Sequence, residues 1–364
     1  MTRTLSRPER IAWVRLARTP RIGPLTFHRL IARFRTPAAA LEALPRVSNL
    51  TAQPADRAEA EIEGVEALGA RLTACCEPDY PPLLAQLDPP PPVLAVRGGV
   101  GWLKKPTVAL VGSREGSGAA LLLAERIAAD LGAAGFTVVS GLARGVDAAA
   151  HKGALETGTV AVLAGGLDHP YPPQNRRLHD AICERGAVIS EAPLGTVARA
   201  RDFPRRNSII SGVSRGVVII EAALRSGSLI TARAAADQGR DVMAAPGSPL
   251  DARARGSNAL IKQGATLIEN ADDIIAALGD AAPPLRPHSV GPLFHEREGP
   301  PPPPGLPNKI AALLSPTPIH VNDIARLLEA PAGAVAAALT ELEMNGQAAS
   351  LPGGYAASSG AAFS

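Results

Sequence analysis

Cysteine is scarce in this chain of 364 residues, which contains three. Cys75 and Cys76 are adjacent and Cys183 is distant, so they form neither a CxxC pair nor a disulfide framework. The seven histidines show no spacing that suits a metal site. The sequence therefore predicts a reducing compartment and no bound metal.

Long apolar runs are also missing. No run of about eighteen apolar residues occurs, so we expect no membrane span. The first ten residues, MTRTLSRPER, lack the apolar centre of a signal peptide. The composition, 46% hydrophobic and 20% charged, is typical of a globular protein, and we expect a cytoplasmic location.

Two nucleotide-binding signatures are absent. The glycines at positions 112, 116 and 118 follow a predicted strand but are spaced as GxxxGxG instead of GxGxxG. The next strand ends at Ser140-Gly141, without an acidic residue for a ribose hydroxyl. No lysine follows a glycine anywhere, which excludes a Walker A loop. We therefore predict no bound cofactor.

Charge is distributed unevenly along the chain. The whole sequence has a net charge of +3, whereas residues 1–47 alone carry +8. This excess indicates either an anionic partner or a solvated helix face rich in arginine. After Arg326 there is no lysine or arginine, which argues against DNA reading by the C-terminal part. A protein-contacting or dimerising role is expected there instead.

Four segments are predicted. Residues 1–87 form a helical module, in which a break at residues 20–24 separates two helices, as in SAM-like or helix-hairpin-helix domains. Residues 88–280 form the core. Residues 281–307 are a proline-rich linker. Residues 308–364 show three short helices and a β-wing, which is typical of a winged-helix module.

The core is predicted to be an extended Rossmann-like α/β fold. Its apolar runs alternate with helical patterns and are continuous, which indicates strands covered on both faces of a doubly wound, mostly parallel sheet. Ligands of such sheets bind beyond the carboxyl ends of the strands. The predicted strands are Thr107–Val111, Thr137–Val139, Thr159–Leu163, Ala187–Ile189, Val217–Ile220, Val242–Ala244 and Thr266–Ile268.

Loops rich in glycine, serine and arginine follow these strands and predict an anion-binding edge. The segment Arg199–Ala232 adds a net charge of +4 over residues 199–215, one aromatic ring, and Asn207, which is expected to begin a helix. For each glycine taken singly, turn geometry is an alternative explanation. The candidate DNA-binding residues are Gly112, Ser113, Arg114, Arg144, Phe203, Arg205, Arg206, Asn207, Gly227 and Ser228.

Catalytic arrangements are few. Asp147 and His151 lie four residues apart on a predicted helix, a spacing that is more often a helix ion pair than an acid–base couple. Glu191 and Glu221 follow strands, where structural capping is the simpler interpretation. We predict no catalytic residue.

Long motifs run throughout residues 107–278. They are VALVGSR at 108–114, VVSGLARGVDAAAH at 138–151, AVLAGGLD at 161–168, YPPQN at 171–175, ISEAPLG at 189–195, FPRRNSIISGVSRGVVIIEA at 203–222, SGSLITARAA at 226–235, GRDVMAAPGS at 239–248 and GSNALIKQGA at 256–265. In these motifs the chain resembles the DNA-processing protein A (DprA/Smf) family.

The resemblance implies a homodimer without catalytic activity that binds single-stranded DNA, protects it during natural transformation and helps to load the RecA recombinase. It places the family's phosphate loop on Gly112, Ser113 and Arg114, and its basic FPxRN element on Phe203, Arg205, Arg206 and Asn207. Ser208 stands where many members have arginine. The alternative is a nucleotide-processing hydrolase of the lysine-decarboxylase-like Rossmann group, whose Pro-Gly-Gly loop is missing here.

Overall fold

A computed structural model of the chain describes residues 3–47, 50–279, 305–314, 319–328, 330–351 and 355–358. The chain divides into two compact units. One combines residues 5–59 with residues 289–364, and the other comprises residues 60–288 together with residues 2–4. The proline-rich linker predicted for residues 281–307 lies mostly outside the described residues, because the description resumes at residue 305.

The N-terminal residues form helices, as predicted: α1 (Arg7–Arg18), α2 (Pro24–Phe34), α3 (Pro37–Val47) and α4 (Ala55–Ala67). The Ser6 amide and the Ser6 hydroxyl both donate to the Glu9 carboxylate, 2.9 and 2.7 Å away, which fixes the start of α1. The expected break falls between α1 and α2, where Gly23 caps α2 and Pro24 is its first residue.

The second unit contains a nine-stranded sheet in the order β1-β2-β6-β5-β4-β3-β7-β8-β9. Strands β3 to β9 pair in parallel, whereas β1 pairs antiparallel with β2 and β2 antiparallel with β6. The strands are β1 (Ala70–Ala74), β2 (Val93–Gly98), β3 (Thr107–Gly112), β4 (Thr137–Ser140), β5 (Thr159–Leu163), β6 (Ala187–Ser190), β7 (Gly216–Ile220), β8 (Asp241–Ala244) and β9 (Thr266–Leu267).

Helices cover both faces of this sheet. Alternate residues of one strand point to opposite faces, so Ala109 and Val111 of β3 enter one hydrophobic core while Val108 and Leu110 enter the other. The continuous apolar runs predicted this two-sided burial correctly. The helices are α5 (Gly118–Ala133), α6 (Val146–Gly153), α7 (Arg176–Arg185), α8 (Phe203–Gly212), α9 (Ser228–Asp237), α10 (Arg255–Lys262) and α11 (Ala271–Leu278).

The first two strands differ from the sequence-based expectation. Residues 1–87 were predicted to be helical, but Ala70–Ala74 form a strand that pairs with Val93–Gly98. Val93–Gly98 in turn pair with β6, about ninety residues further along the chain. Such a long-range partner leaves no signal in the local sequence pattern.

The C-terminal residues form the predicted winged-helix module, with a hydrophobic core of its own. Its elements are α12 (Leu306–Leu313), β10 (Ile319–His320), α13 (Val321–Leu327), α14 (Ala332–Met344), β11 (Ala348–Leu351) and β12 (Tyr355–Ser358). The turn of the wing, residues 352–354, lies outside the described residues.

Helix α14 contacts helix α2 within the first unit. The Arg29 guanidinium donates to the Thr340 hydroxyl at 2.9 Å and lies 3.9 Å from the Glu343 carboxylate. The same carboxylate accepts hydrogen bonds from the amide and the hydroxyl of Ser350 on β11. Burial of the Arg29 side chain lowers its pKa, and the charge of Glu343 opposes that shift.

No helix in the described ranges is both long and apolar enough to cross a membrane.

Candidate nucleic-acid interface

The candidate site lies where the strand order of the sheet reverses. The chain runs outward from β3 through β4, β5 and β6, then returns to place β7 on the other side of β3. The loops after β3 and β7 therefore leave in opposite directions and open a crevice between them. Gly112 ends β3, and a side chain there would collide with the carbonyl oxygen of Ile220.

Glu221, the residue after β7, holds the loop that follows β3. Its carbonyl oxygen accepts from the Ser113 amide at 2.8 Å. Its carboxylate accepts from the amide and the hydroxyl of Ser117, at 2.9 and 2.5 Å. Because Ser117 is the N-cap of α5, the predicted capping role of Glu221 is confirmed. The Ser113 amide is thus already bonded, so the loop attracts an anion chiefly through Arg114.

Arg114 is exposed at the mouth of the crevice. Its guanidinium carbon lies 5.1 Å from the centroid of the Phe203 ring, within range of a cation–π interaction. The contact orients the side chain, which stays exposed. An exposed, oriented guanidinium is suited to bidentate binding of a phosphate.

A cavity of about 540 Å³ occupies the crevice. Arg144, exposed on the loop after β4, and Arg205, exposed on α8, are not among the residues that line it. Eight of the ten predicted residues line it: Gly112, Ser113, Arg114, Phe203, Arg206, Asn207, Gly227 and Ser228.

The two neighbouring arginines of α8 have different environments. Arg205 is exposed and pairs with the Glu191 carboxylate, which is buried. Arg206 is 6% exposed and donates to the carbonyl oxygens of Gly141 and Val162, the second at 3.0 Å. Arg206 was predicted to contact DNA. In the structure its guanidinium bonds to the backbone at the strand ends. Arg206 also lines the cavity, and there it could contact a ligand.

A buried carboxylate accompanies Arg206. Asp147 accepts from the amides of Gly141 and Ala143, at 3.2 and 3.3 Å. Burial raises the pKa of Asp147, while the charge of Arg206 and the amide hydrogen bonds oppose that shift. Burial lowers the pKa of Arg206 to about 10, so the guanidinium remains charged at neutral pH. Asp147 bonds to the amide of Gly141 and Arg206 to its carbonyl oxygen, so both side chains hold the loop after β4 in place.

Asn207 does not begin a helix, contrary to the sequence-based expectation. Helix α8 begins at Phe203, because Pro204 fits its first turn, and Asn207 lies buried in the second turn. Its side-chain amide donates to the Gly227 carbonyl oxygen at 3.3 Å, and its oxygen accepts from Arg206 at 3.1 Å. Asn207 therefore joins α8 to the loop before α9.

That loop carries the last two predicted residues. The Ser228 hydroxyl lies 2.7 Å from the hydroxyl of Ser226, and Ser228 begins α9 as expected. Gly227 has open space around the position of a side chain. Ser208 stands where many family members have arginine, and its hydroxyl accepts from the side-chain amide of Gln238, the C-cap of α9, at 2.9 Å.

The pair Asp147 and His151 on α6 forms neither of the interactions considered from the sequence. Asp147 bonds to backbone amides, and the Nδ1 atom of His151 lies 2.9 Å from the Thr159 hydroxyl. Burial lowers the pKa of His151 to about 3, which keeps the ring neutral. Within the described part of the chain, no group of three or more His, Cys, Asp and Glu residues is placed to hold a metal ion.

One aromatic residue at this edge was not predicted as a site residue. Tyr171 begins the YPPQN motif after β5, and its ring centroid lies 6.0 Å from that of Phe203. The motif was visible in the sequence, but nothing local indicated that it would reach a residue 32 positions further along the chain.

Comparison with protein-family models gives three matches. The model described as DNA recombination-mediator protein A matches residues 71–279, more than half of the chain. The chain belongs to the DNA-processing protein A family. The DprA-like N-terminal HHH domain matches residues 7–64, and the DprA winged helix domain matches residues 295–354. The DprA resemblance seen in the sequence is confirmed, together with the expected fold class.

Curated relatives of the DprA family agree. Protein Smf of Escherichia coli is 39% identical over 281 residues, which cover 76% of this chain and 74% of the relative. Protein Smf of a Synechocystis strain is 42% identical over 209 residues, covering 56% of this chain and about half of the relative, 52%. DNA processing protein DprA of Streptococcus pneumoniae is 43% identical over 199 residues, covering 54% and 70% of the two chains.

Two solved DprA structures resemble this one. DNA processing protein A from Streptococcus pneumoniae matches with a TM-score of 0.63 at 32% identity, over 76% of this chain and 98% of that chain. The Helicobacter pylori protein, solved for its single-stranded DNA binding mode, matches with a TM-score of 0.52 at 29% identity, over 55% and 92% of the two chains.

Proposed function

We propose that this chain binds single-stranded DNA along the carboxyl edge of its sheet, protects incoming DNA and helps to load the RecA recombinase in natural transformation. It acts as a homodimer and without a catalytic step. Membership of the DNA-processing protein A family supports a role on DNA. The single-stranded DNA binding mode of the Helicobacter pylori relative supports the choice of ligand.

The observation that carries the proposal is the position of Arg114. Its guanidinium is exposed at the point where the strand order reverses, and it is oriented by the Phe203 ring 5.1 Å away. The loop that bears it is tied to β7 by three hydrogen bonds to Glu221. An exposed cation held on a loop that is fixed to the sheet is suited to bind a phosphate of a single strand.

Binding without cleavage agrees with the burial of three polar side chains near the strand ends, Ser140, Asp147 and His151. The Ser140 hydroxyl donates to the Leu110 carbonyl oxygen at 2.6 Å. Asp147 accepts hydrogen bonds from two backbone amides. Burial lowers the pKa of His151 to about 3, so its ring is neutral near pH 7. Buried side chains of this kind suit a structural role better than an attack on a phosphodiester.

Fluorescence anisotropy with labelled single- and double-stranded oligonucleotides tests the proposal. The single strand should bind more tightly. If about four phosphates are neutralised, log affinity should fall with log salt at a slope of about −3. Arg114→Ala should weaken binding to every sequence by roughly 10- to 150-fold and flatten the slope by about one unit.

Arg126→Ala provides the matched control, because it removes another exposed arginine, from helix α5, and should change affinity little. An affinity insensitive to salt, or equal loss in both variants, would contradict the proposal. Release of free base from nucleoside monophosphates would favour the hydrolase alternative instead. RecA-driven strand exchange on coated single strands and sedimentation of the free protein test the mediator role and the homodimer.

A further inference from the structure

The YPPQN motif at residues 171–175 lies at the candidate interface, although the proposed function gives it no role. The Asn175 side chain donates to the carbonyl oxygens of Leu142 and Ala143, at 2.9 and 3.1 Å. These carbonyls belong to the loop after β4, the same loop that Asp147 and Arg206 hold. The motif is therefore fixed to the strand-end edge at its last residue.

At its first residue the motif presents an aromatic ring. Tyr171 is 50% exposed, a high fraction for an aromatic residue. Its ring meets that of Phe203 nearly edge to face, at an interplanar angle of 68°. In such a pair the edge of one ring packs against the face of the other, and part of the aromatic surface stays uncovered.

Phe203, one of the candidate DNA-binding residues, has cations over its ring. The guanidinium carbons of Arg114 and Arg206 lie over its ring, 5.1 and 5.4 Å from the centroid. A nucleobase needs an open aromatic face on which to stack. At this edge the exposed ring is that of Tyr171, while Phe203 serves to orient the two arginines.

We propose that Tyr171 is a nucleobase-stacking residue of the interface and takes a base of the single strand whose backbone Arg114 binds. The inference rests on the proposed function and adds to it a second kind of contact, sequence-tolerant and uncharged. Phe203 supports the tyrosine ring from the side, and Asn175 holds the loop that carries it. The phenolic hydroxyl has no part in the contact.

The alternative is a structural role, in which Tyr171 merely covers Phe203. The two roles differ in what a substitution does. A stacking residue contributes only when the ligand has bases, and it acts through the ring. A covering residue contributes to stability whatever the ligand, and its loss would also disturb Arg114 and therefore the binding of phosphates.

The test compares Tyr171→Ala and Tyr171→Phe with the unmodified protein, by anisotropy with a labelled thymidine oligonucleotide and with an abasic oligonucleotide of the same length. Tyr171→Ala should weaken binding to the thymidine strand by about 5- to 150-fold. Tyr171→Phe should bind as the unmodified protein does. The salt slope should be the same for all three, because no charge is changed. All three should bind the abasic strand alike.

Each other outcome overturns the inference. Equal loss on the abasic strand, or a flatter salt slope for Tyr171→Ala, would assign Tyr171 to support of Arg114. Equal loss in both variants would assign the effect to the hydroxyl. If the unmodified protein binds single strands and Tyr171→Ala binds equally well, the stacking role fails while the proposed function stands. If the unmodified protein binds no single strand, both fail.

Discussion

The carboxyl edge of the sheet and helix α14 of the winged-helix module are both places where folds of their kind contact nucleic acid. They differ in charge and in what already occupies them. At the sheet edge Arg114 is exposed and oriented by Phe203. On α14 the acidic residue Glu343 is engaged by Arg29 and Ser350, and the helix has no lysine or arginine. The difference shows that the side chains, and not the fold type, decide which surface can receive phosphates.

The largest expected effect concerns the buried arginine of the sheet edge. Arg206→Ala removes a charge near the buried carboxylate of Asp147 and two bonds to strand-end carbonyls, so the free energy of unfolding should fall by about 3–5 kcal/mol. Urea denaturation measures it. The variant Arg205→Ala, one residue earlier and itself exposed, should cost less, although it removes a partner of the buried Glu191 carboxylate. Equal costs would show that burial does not distinguish the two arginines.

Acid should weaken the same edge through His151. Its pKa is about 3 in the folded chain and about 6.5 when unfolded, so the unfolded chain binds more protons between those values. Stability therefore falls as the pH drops, by on the order of 1 kcal/mol between pH 7.5 and pH 5.5. Urea denaturation at both pH values should show this loss in the unmodified protein. In His151→Gln the corresponding part of the loss should be absent, and an unchanged pH dependence would contradict the assignment.

The contact between α2 and α14 should contribute less. Arg29→Ala removes a partly buried hydrogen bond to Thr340 and a 3.9 Å ion pair with Glu343, at an expected cost of about 1 kcal/mol. Arg33→Ala, one turn later on α2 and exposed, should change stability by less than about 0.5 kcal/mol. If the two variants lose equal stability in thermal denaturation, the contact does not hold α14 in place.

The smallest effect sharpens the comparison directly. Glu341→Lys puts a cation on α14 without touching the residue that Arg29 contacts, and single-stranded DNA affinity should change by no more than about twofold. The reason is that the proposed binding surface is the sheet edge, where Arg114 lies, and not α14. An increase in affinity as large as the loss in Arg114→Ala would show that α14 takes part in DNA binding.

The sequence predicted the parallel part of the sheet well, because a strand buried on both faces has a continuous apolar run that can be recognised locally. It did not predict β1 and β2, whose place depends on pairing with β6 far along the chain. It also could not separate Arg205 from Arg206. Successive residues on a helix point about 100° apart, and which one faces the core is decided by the sheet beneath α8.

Tyr171 is a further residue whose place in the site could not be predicted from the sequence. The YPPQN letters indicated a family motif, but the contact of Tyr171 with Phe203 joins two loops that follow different strands. Only the order of strands in the sheet brings those loops together. Residues of the site that depend on one loop, such as Gly112 and Arg114, were predictable, whereas those that depend on two loops were not.

The conformation of Glu221 bears on the rate at which the proposed ligand, a single strand of DNA, would associate with the protein. Its backbone φ of 53° is uncommon for a residue with a side chain and costs about 1–3 kcal/mol of conformational energy. The other interactions of the folded chain offset this cost before any ligand binds. The hydrogen bonds of Glu221 to Ser113 and Ser117 keep this conformation in the free protein. The Arg114 loop therefore needs no reorganisation on encounter, so association should be limited by diffusion and charge attraction, with little entropy lost by the protein.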